Sequence, residues 1–187
     1  MQRRELLLGA IATSVATALP ALTPAAALAS EASDRIDRDV THALSTLYRK
    51  TPAAAALGKE AKGILVFPKI VKAGLMVGGQ GGRGALRKGR RTVGYYRTLA
   101  LSYGLQAGAQ AFGYALFFMT DDALRYLQES KGWEIGTGPS VVVADEGIAR
   151  ALSTTTARSD VYAFIFNQSG LMAGLGIQGS KITRIYP

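Results

Sequence analysis

Ile36, Val40, Ala43, Leu44 and Leu47 recur at helical spacing with polar residues between them. That pattern predicts an amphipathic helix, with Ser33 or Asp34 as its N-cap. Thr51-Pro52 ends it and can open a second, Ala-rich helix, with Thr as cap and Pro at the first helical position, closed by Gly58 or Gly63. Ile64–Phe67 then reads as a strand stopped by Pro68. From Ala73 the pattern becomes extended and Gly-punctuated: 75–79, 84–87, 92–100, 101–112 and 114–119, with a hairpin turn at Gly89-Arg90-Arg91. Thr120 can cap a helix over 121–130, whose two leading aspartates suit its positive end. Val141–Val143 is a further strand, and 161–166, 171–177 and 181–185 form a closing meander turning at 167–170 and 179–180. Helices first and antiparallel strands afterwards predict an α+β fold: N-terminal helices, then a mostly antiparallel, Gly-rich β-sheet or barrel-like core with one intervening helix.

The N-terminus changes the domain count. Arg3-Arg4 precede an apolar run from Leu6 to Leu19, Pro20 and Pro24 interrupt the segment after that run, and Ala27-Leu28-Ala29 forms a small-residue cleavage signal. A basic start, a short apolar stretch and an A-x-A end describe an export signal, and the arginine pair suits the twin-arginine route. The expected division is therefore 1–29 as export signal and 30–187 as one domain, placed in the periplasm or otherwise exported. The chain has no cysteine. This excludes disulfides, thiolate chemistry, Cys-bound metals and a lipoprotein anchor.

Charge is concentrated in one stretch. The chain carries a formal charge of +9, and residues 59–97 hold ten basic residues against Glu60 alone. Residues 98–120 carry no charge, and both flanks are near neutral. Such a block points to a polyanion: nucleic acid or an anionic lipid surface. Export disfavours nucleic acid. Lipid headgroups attract basic residues at about 1 kcal/mol each while apolar neighbours insert. The candidate lipid-binding residues are Lys62, Lys69, Lys72, Arg83, Arg87, Lys88, Arg90 and Arg91.

Other chemistry fails on spacing. Gly79-Gln80-Gly81-Gly82-Arg83-Gly84 matches G-x-G-x-x-G, but no helix pattern opens after it and no acid lies between Glu60 and Asp121 to hold a ribose. Ala100–Gly104 approximates a nucleophile elbow around Ser102, yet His42, the one histidine, lies upstream on a polar helix face. Asp121-Asp122 and Asp145-Glu146 suit capping and solvation better than acid–base catalysis. The uncharged run from Thr98 to Thr120 includes Ser102, Gln106, Gln110 and Gly113, and suits buried strands better than a membrane helix. No catalytic residue, metal ligand or cofactor is predicted, so the expectation is a non-enzymatic protein.

Three blocks, in order, carry a family resemblance. Residues 61–69 with Lys72–Leu75 and Gly78–Gly84, then Ser102–Gln110, then Ser169–Leu175 followed by Gly179, resemble the SYLF lipid-binding domain, over roughly residues 34–186. The resemblance implies a domain that binds phospholipids, including phosphoinositides in eukaryotic members. Some fungal relatives bind actin and carry an SH3 domain, but an exported protein would not meet cytosolic actin. Gln178 stands before Gly179 where an acid is frequent in the family. The expected function is docking on anionic phospholipid as a peripheral membrane protein. The alternative is a cell-envelope scaffold or stress protein with a protein or glycan partner.

Overall fold

The computed structural model describes residues 24–74, 77–103, 108–144, 159–170 and 179–187. Helix α1 spans Pro24–Lys50 and α2 spans Pro52–Glu60. Strands β1 (Gly63–Gly74), β2 (Val77–Lys88), β3 (Arg91–Tyr103) and β4 (Gly108–Phe118) follow. Then come helix α3 (Asp121–Glu129) and strands β5 (Trp133–Glu134), β6 (Val141–Ala144), β7 (Val161–Gly170) and β8 (Lys181–Ile185). The strands form one curled half-barrel sheet in the order β5-β8-β3-β2-β1-β4-β7-β6. Every pairing is antiparallel except β6 with β7. The predicted α+β class holds. The two edge strands are the short β5 and β6, which limits open backbone at the rims.

Each face of the sheet buries its own core. On one face Val40, Ala43 and Leu47 of α1 and Ala54 and Leu57 of α2 cover Ile64, Val66, Ala85, Ala115, Phe117 and Phe164. On the other, Leu124 and Leu127 of α3 join Leu65, Phe67, Leu86, Tyr96, Leu116, Phe118 and Trp133. Alternation along each strand assigns the side chains to the two faces. Thr120 caps α3 by accepting from the Ala123 N–H at 3.2 Å.

Several boundaries differ from the sequence expectation. Helix α1 starts at Pro24, ahead of the expected cap, and runs through Ala27–Ala29, because this Ala-rich stretch favours helix. Ser33 donates back to Ala29 O and Ser30 O instead of capping. Pro68 does not stop β1. The strand absorbs it in a bulge between Phe67 and Ile70 and continues to Gly74. The bulge needs space, and glycine supplies it. A Cβ on Gly84 would come within 2.1 Å of Val66 O, and one on Gly113 within 2.9 Å of Pro68 O. The extended pieces 75–79 and 84–87 merge into the single strand β2, and the expected strand 101–112 is divided between β3 and β4. The expected turn at 167–170 is strand, with Asn167 at φ 52 beside a register shift. The expected export signal, up to residue 23, and the expected strand at 171–177 lie outside the described residues.

Candidate functional site

Four of the exposed large apolar residues cluster at the distal end of the sheet, where β1 stops and β2 begins. Val71, Val77, Leu99 and Leu101 stand on consecutive strands on the helix-covered face, beyond the reach of the helical core. Leu101 is 75 % exposed and Val77 60 %. Register places Val71 opposite Gly81, and Gly81 opposite Leu99, so a glycine separates the two side chains. Ala73 and Ala109 extend the same surface on β1 and β4. Leu28 of α1, also exposed, lies at its margin. A contiguous apolar group of this kind marks a surface that something covers.

A basic row borders this patch. Lys69 pairs with Arg83 across β1–β2, and Arg83 pairs with Arg97 across β2–β3. All three are exposed, and their parity puts them on the same face as the apolar patch. None of them makes an ion pair among the described residues. Like charges directly opposite across strands destabilise a sheet, so the row is held at a cost that an anion would relieve. Lys181 stands beside Leu99 in the next row. A groove of about 400 Å³ runs beneath the first turns of α1, lined by Leu28, Ile36, Pro68, Lys69 and Arg83 among others.

The eight candidate basic residues are divided among four places, the last being the contact of Arg87 with α1. Lys69 and Arg83 belong to the row just described. Lys62, Lys88, Arg90 and Arg91 are exposed at the opposite end, around the β2–β3 turn, where Gly89 takes φ 58. Lys62 lies 4.0 Å from Asp121, with both side chains well exposed. Lys72 is on the α3-covered face and only 7 % exposed, because the bulge at Pro68 resets the alternation. Arg97, Val77, Leu99 and Leu101 were not singled out from sequence, whereas Val71 lies in the mixed basic and apolar stretch 69–76 that suits a lipid surface. Their signal was alternation within stretches read as short Gly-punctuated strands and a buried, uncharged run.

Arg87 has a structural role. Its Nη2 donates to Asp37 O at 2.9 Å and to Thr41 Oγ1 at 3.0 Å, and its Nη1 to Arg90 O at 3.0 Å. Its side chain is 14 % exposed. The Asp37 carboxylate accepts from Thr92 Oγ1 at 2.7 Å and Tyr95 OH at 3.1 Å. Burial and the neighbouring Asp37 push the Tyr95 phenol above its ordinary range. Together these groups fasten α1 to the β2–β3 hairpin.

The other motifs take ordinary places in the fold. G-x-G-x-x-G lies inside strand β2 with no helix after it. Ser102 lies within β3, which runs on to Tyr103. His42 is exposed on α1. Asp121 and Asp122 occupy the first turn of α3, and Asp145-Glu146 lie outside the described residues. Among the described residues no group of three metal-ligating side chains forms, and no helix is long and apolar enough to cross a membrane.

Comparison with known families gives one match. Residues 99–185 fit the family described as Ysc84: Las17-binding protein actin regulator. This is consistent with a SYLF domain family member, and it covers the chain from the exposed end of β3 to β8. No curated protein matches the chain.

Proposed function

We propose that this SYLF-family chain docks on anionic phospholipid membranes through the distal end of its sheet, without chemical turnover. The family is associated with lipid and actin-related binding. The observation that favours lipid is the juxtaposition of an exposed apolar patch with the unpaired row Lys69–Arg83–Arg97 on one face. A lipid surface offers both complements at once: phosphates at the depth of the row and acyl chains beyond them. Lys62, Lys88, Arg90 and Arg91 lie at the other end and take no part. The basic start, apolar run and A-x-A signal support export, which would place the contact at the cell envelope.

Co-sedimentation with vesicles tests the reading. The chain should pellet with phosphatidylcholine vesicles containing phosphatidylglycerol and not with phosphatidylcholine alone. Reversing Lys69, Arg83 and Arg97 to Glu should cost at least about 3 kcal/mol, roughly a hundredfold in partition. Leu99→Asp with Leu101→Asp should weaken binding to the same vesicles and leave its salt dependence in place. Equal binding to neutral vesicles, unchanged binding by the triple variant, or pelleting with actin filaments but not with vesicles would overturn it.

A further inference from the structure

We propose that the α3-covered face carries a second, interior site at the same end of the sheet, built to take a phosphoryl oxyanion. Four strands and the residue before β8 build it. Gln110 of β4 pairs with Lys72 of β1, Lys72 pairs with Gln80 of β2, and Gln80 Nε2 donates to Ser180 Oγ beside β8 at 3.0 Å. One row inward, Thr98 of β3 stands opposite Gly82, and Tyr114 of β4 comes over from the other side.

Two observations point to an occupant. Six polar or charged residues are buried among the described residues, and five of them lie here: Lys72, Gln80, Thr98, Gln110 and Ser180. Of the four buried side-chain polar atoms without a partner among the described residues, three are Thr98 Oγ1, Gln110 Oε1 and Tyr114 OH. The Thr98 and Tyr114 hydroxyls approach one another without hydrogen-bond geometry. A buried polar atom left unpaired costs about 1–3 kcal/mol, and three together are unusual in one small region.

The chemistry selects an oxyanion. Two hydroxyl donors, an amide that can turn either end inward, and a buried ammonium share this face, and strands β1–β4 and β8 contain no acid. Burial pushes the Tyr114 phenol far above its ordinary range, which keeps it a neutral donor. Lys72 already has a contact, and its remaining donors still carry a positive charge into the site. The phosphoryl group could belong to a lipid headgroup or to free phosphate.

The test is a titration of the purified chain with inorganic phosphate, against chloride at matched ionic strength. The readout is the side-chain amide signals of Gln80 and Gln110 in nuclear magnetic resonance. Saturable shifts with phosphate and none with chloride are expected. Thr98→Val, which preserves shape, should weaken phosphate at least fivefold, Lys72→Met should abolish it, and Lys59→Glu on α2 should leave it unchanged. Vesicles containing phosphatidylglycerol assign the source: they move the same signals if a headgroup enters, and do not if the site takes free phosphate. Absence of a saturable phosphate shift, or wild-type affinity in Thr98→Val, overturns the site, leaving the orphaned atoms to buried water. Either result is independent of whether vesicles bind the outer face.

Discussion

Replacing Asp37 by Ala tests whether α1 is fastened to the sheet by a specific polar node. The carboxylate accepts from Thr92 at 2.7 Å and Tyr95 at 3.1 Å and lies 3.5 Å from Arg87 Nη2. Hydrogen bonds to a charged group contribute about 1.5–3 kcal/mol each when dry. Here the Asp37 side chain is 33 % exposed, which places both bonds at the lower end and makes the ion pair a small addition. Arg87 keeps its bonds to Asp37 O, Thr41 and Arg90 O, so the cost stays below the roughly 3–5 kcal/mol of orphaning a fully buried charge. The sum is about 2–3 kcal/mol. At about 2–4 °C per kcal/mol for a domain of this size, Tm should fall by about 5–10 °C. Thermal unfolding at pH 7 of Asp37→Ala, Arg87→Met and the double variant reads this directly. The two changes should couple by about 1 kcal/mol or more. A fall below about 2 °C, or strict additivity, refutes the clamp.

Gly84→Ala should cost about 2–3 kcal/mol in urea unfolding, because its Cβ meets the Val66 carbonyl oxygen at the bulge. Gly89→Ala, in open space at φ 58, should cost only about 1 kcal/mol, and equal costs would refute the packing argument. Ser140 donates its hydroxyl at 2.8 Å and its N–H at 3.0 Å to Asp160, holding that carboxyl below its ordinary value where β6 and β7 begin. A depressed folded value means stability present above the unfolded carboxyl pKa of about 3.9 and lost as pH falls through the lower folded one. The stability gap between wild type and Ser140→Ala should therefore be widest near neutral pH and shrink as pH falls below the ordinary carboxyl range. A gap independent of pH would contradict the assignment.

The fold class and most elements were legible because the periodicities are strong. Ile36 to Leu47 could only be an amphipathic helix, Thr51-Pro52 could only separate two, and Thr120 with two aspartates announced α3. The misplaced boundaries share a cause. Pro68 and the glycines of 78–84 are ordinarily strand breakers, and they cancel here. The proline bulge pushes carbonyl groups toward the neighbouring strands, and Gly82, Gly84 and Gly113 are what allow those strands to stay paired. Each residue alone argues against a strand, and only the pairing shows that they fit.

The same bulge explains why the basic block did not reveal the site. A linear count of charge over 59–97 cannot distinguish faces, and in a strand neighbouring residues point oppositely. Lys69, Arg83 and Arg97 are spaced at equal intervals of 14 residues, which is the period of the β1–β2–β3 meander, so register turns three separated cations into one row. Had alternation continued unbroken from Phe67, Lys69 would have joined the α3-covered face and Lys72 the outer one. The bulge exchanges them. It sends Lys69 out to the row and Lys72 inward between Gln80 and Gln110. One irregularity thus separates an outer surface suited to a bilayer from an inner row suited to a single oxyanion. A deletion of Lys69 should restore regular pairing while keeping Ile70 opposite Phe112 and Lys72 opposite Gln110, so vesicle binding should fall with the lost cation and the phosphate shifts should stay, as they should in Arg83→Glu.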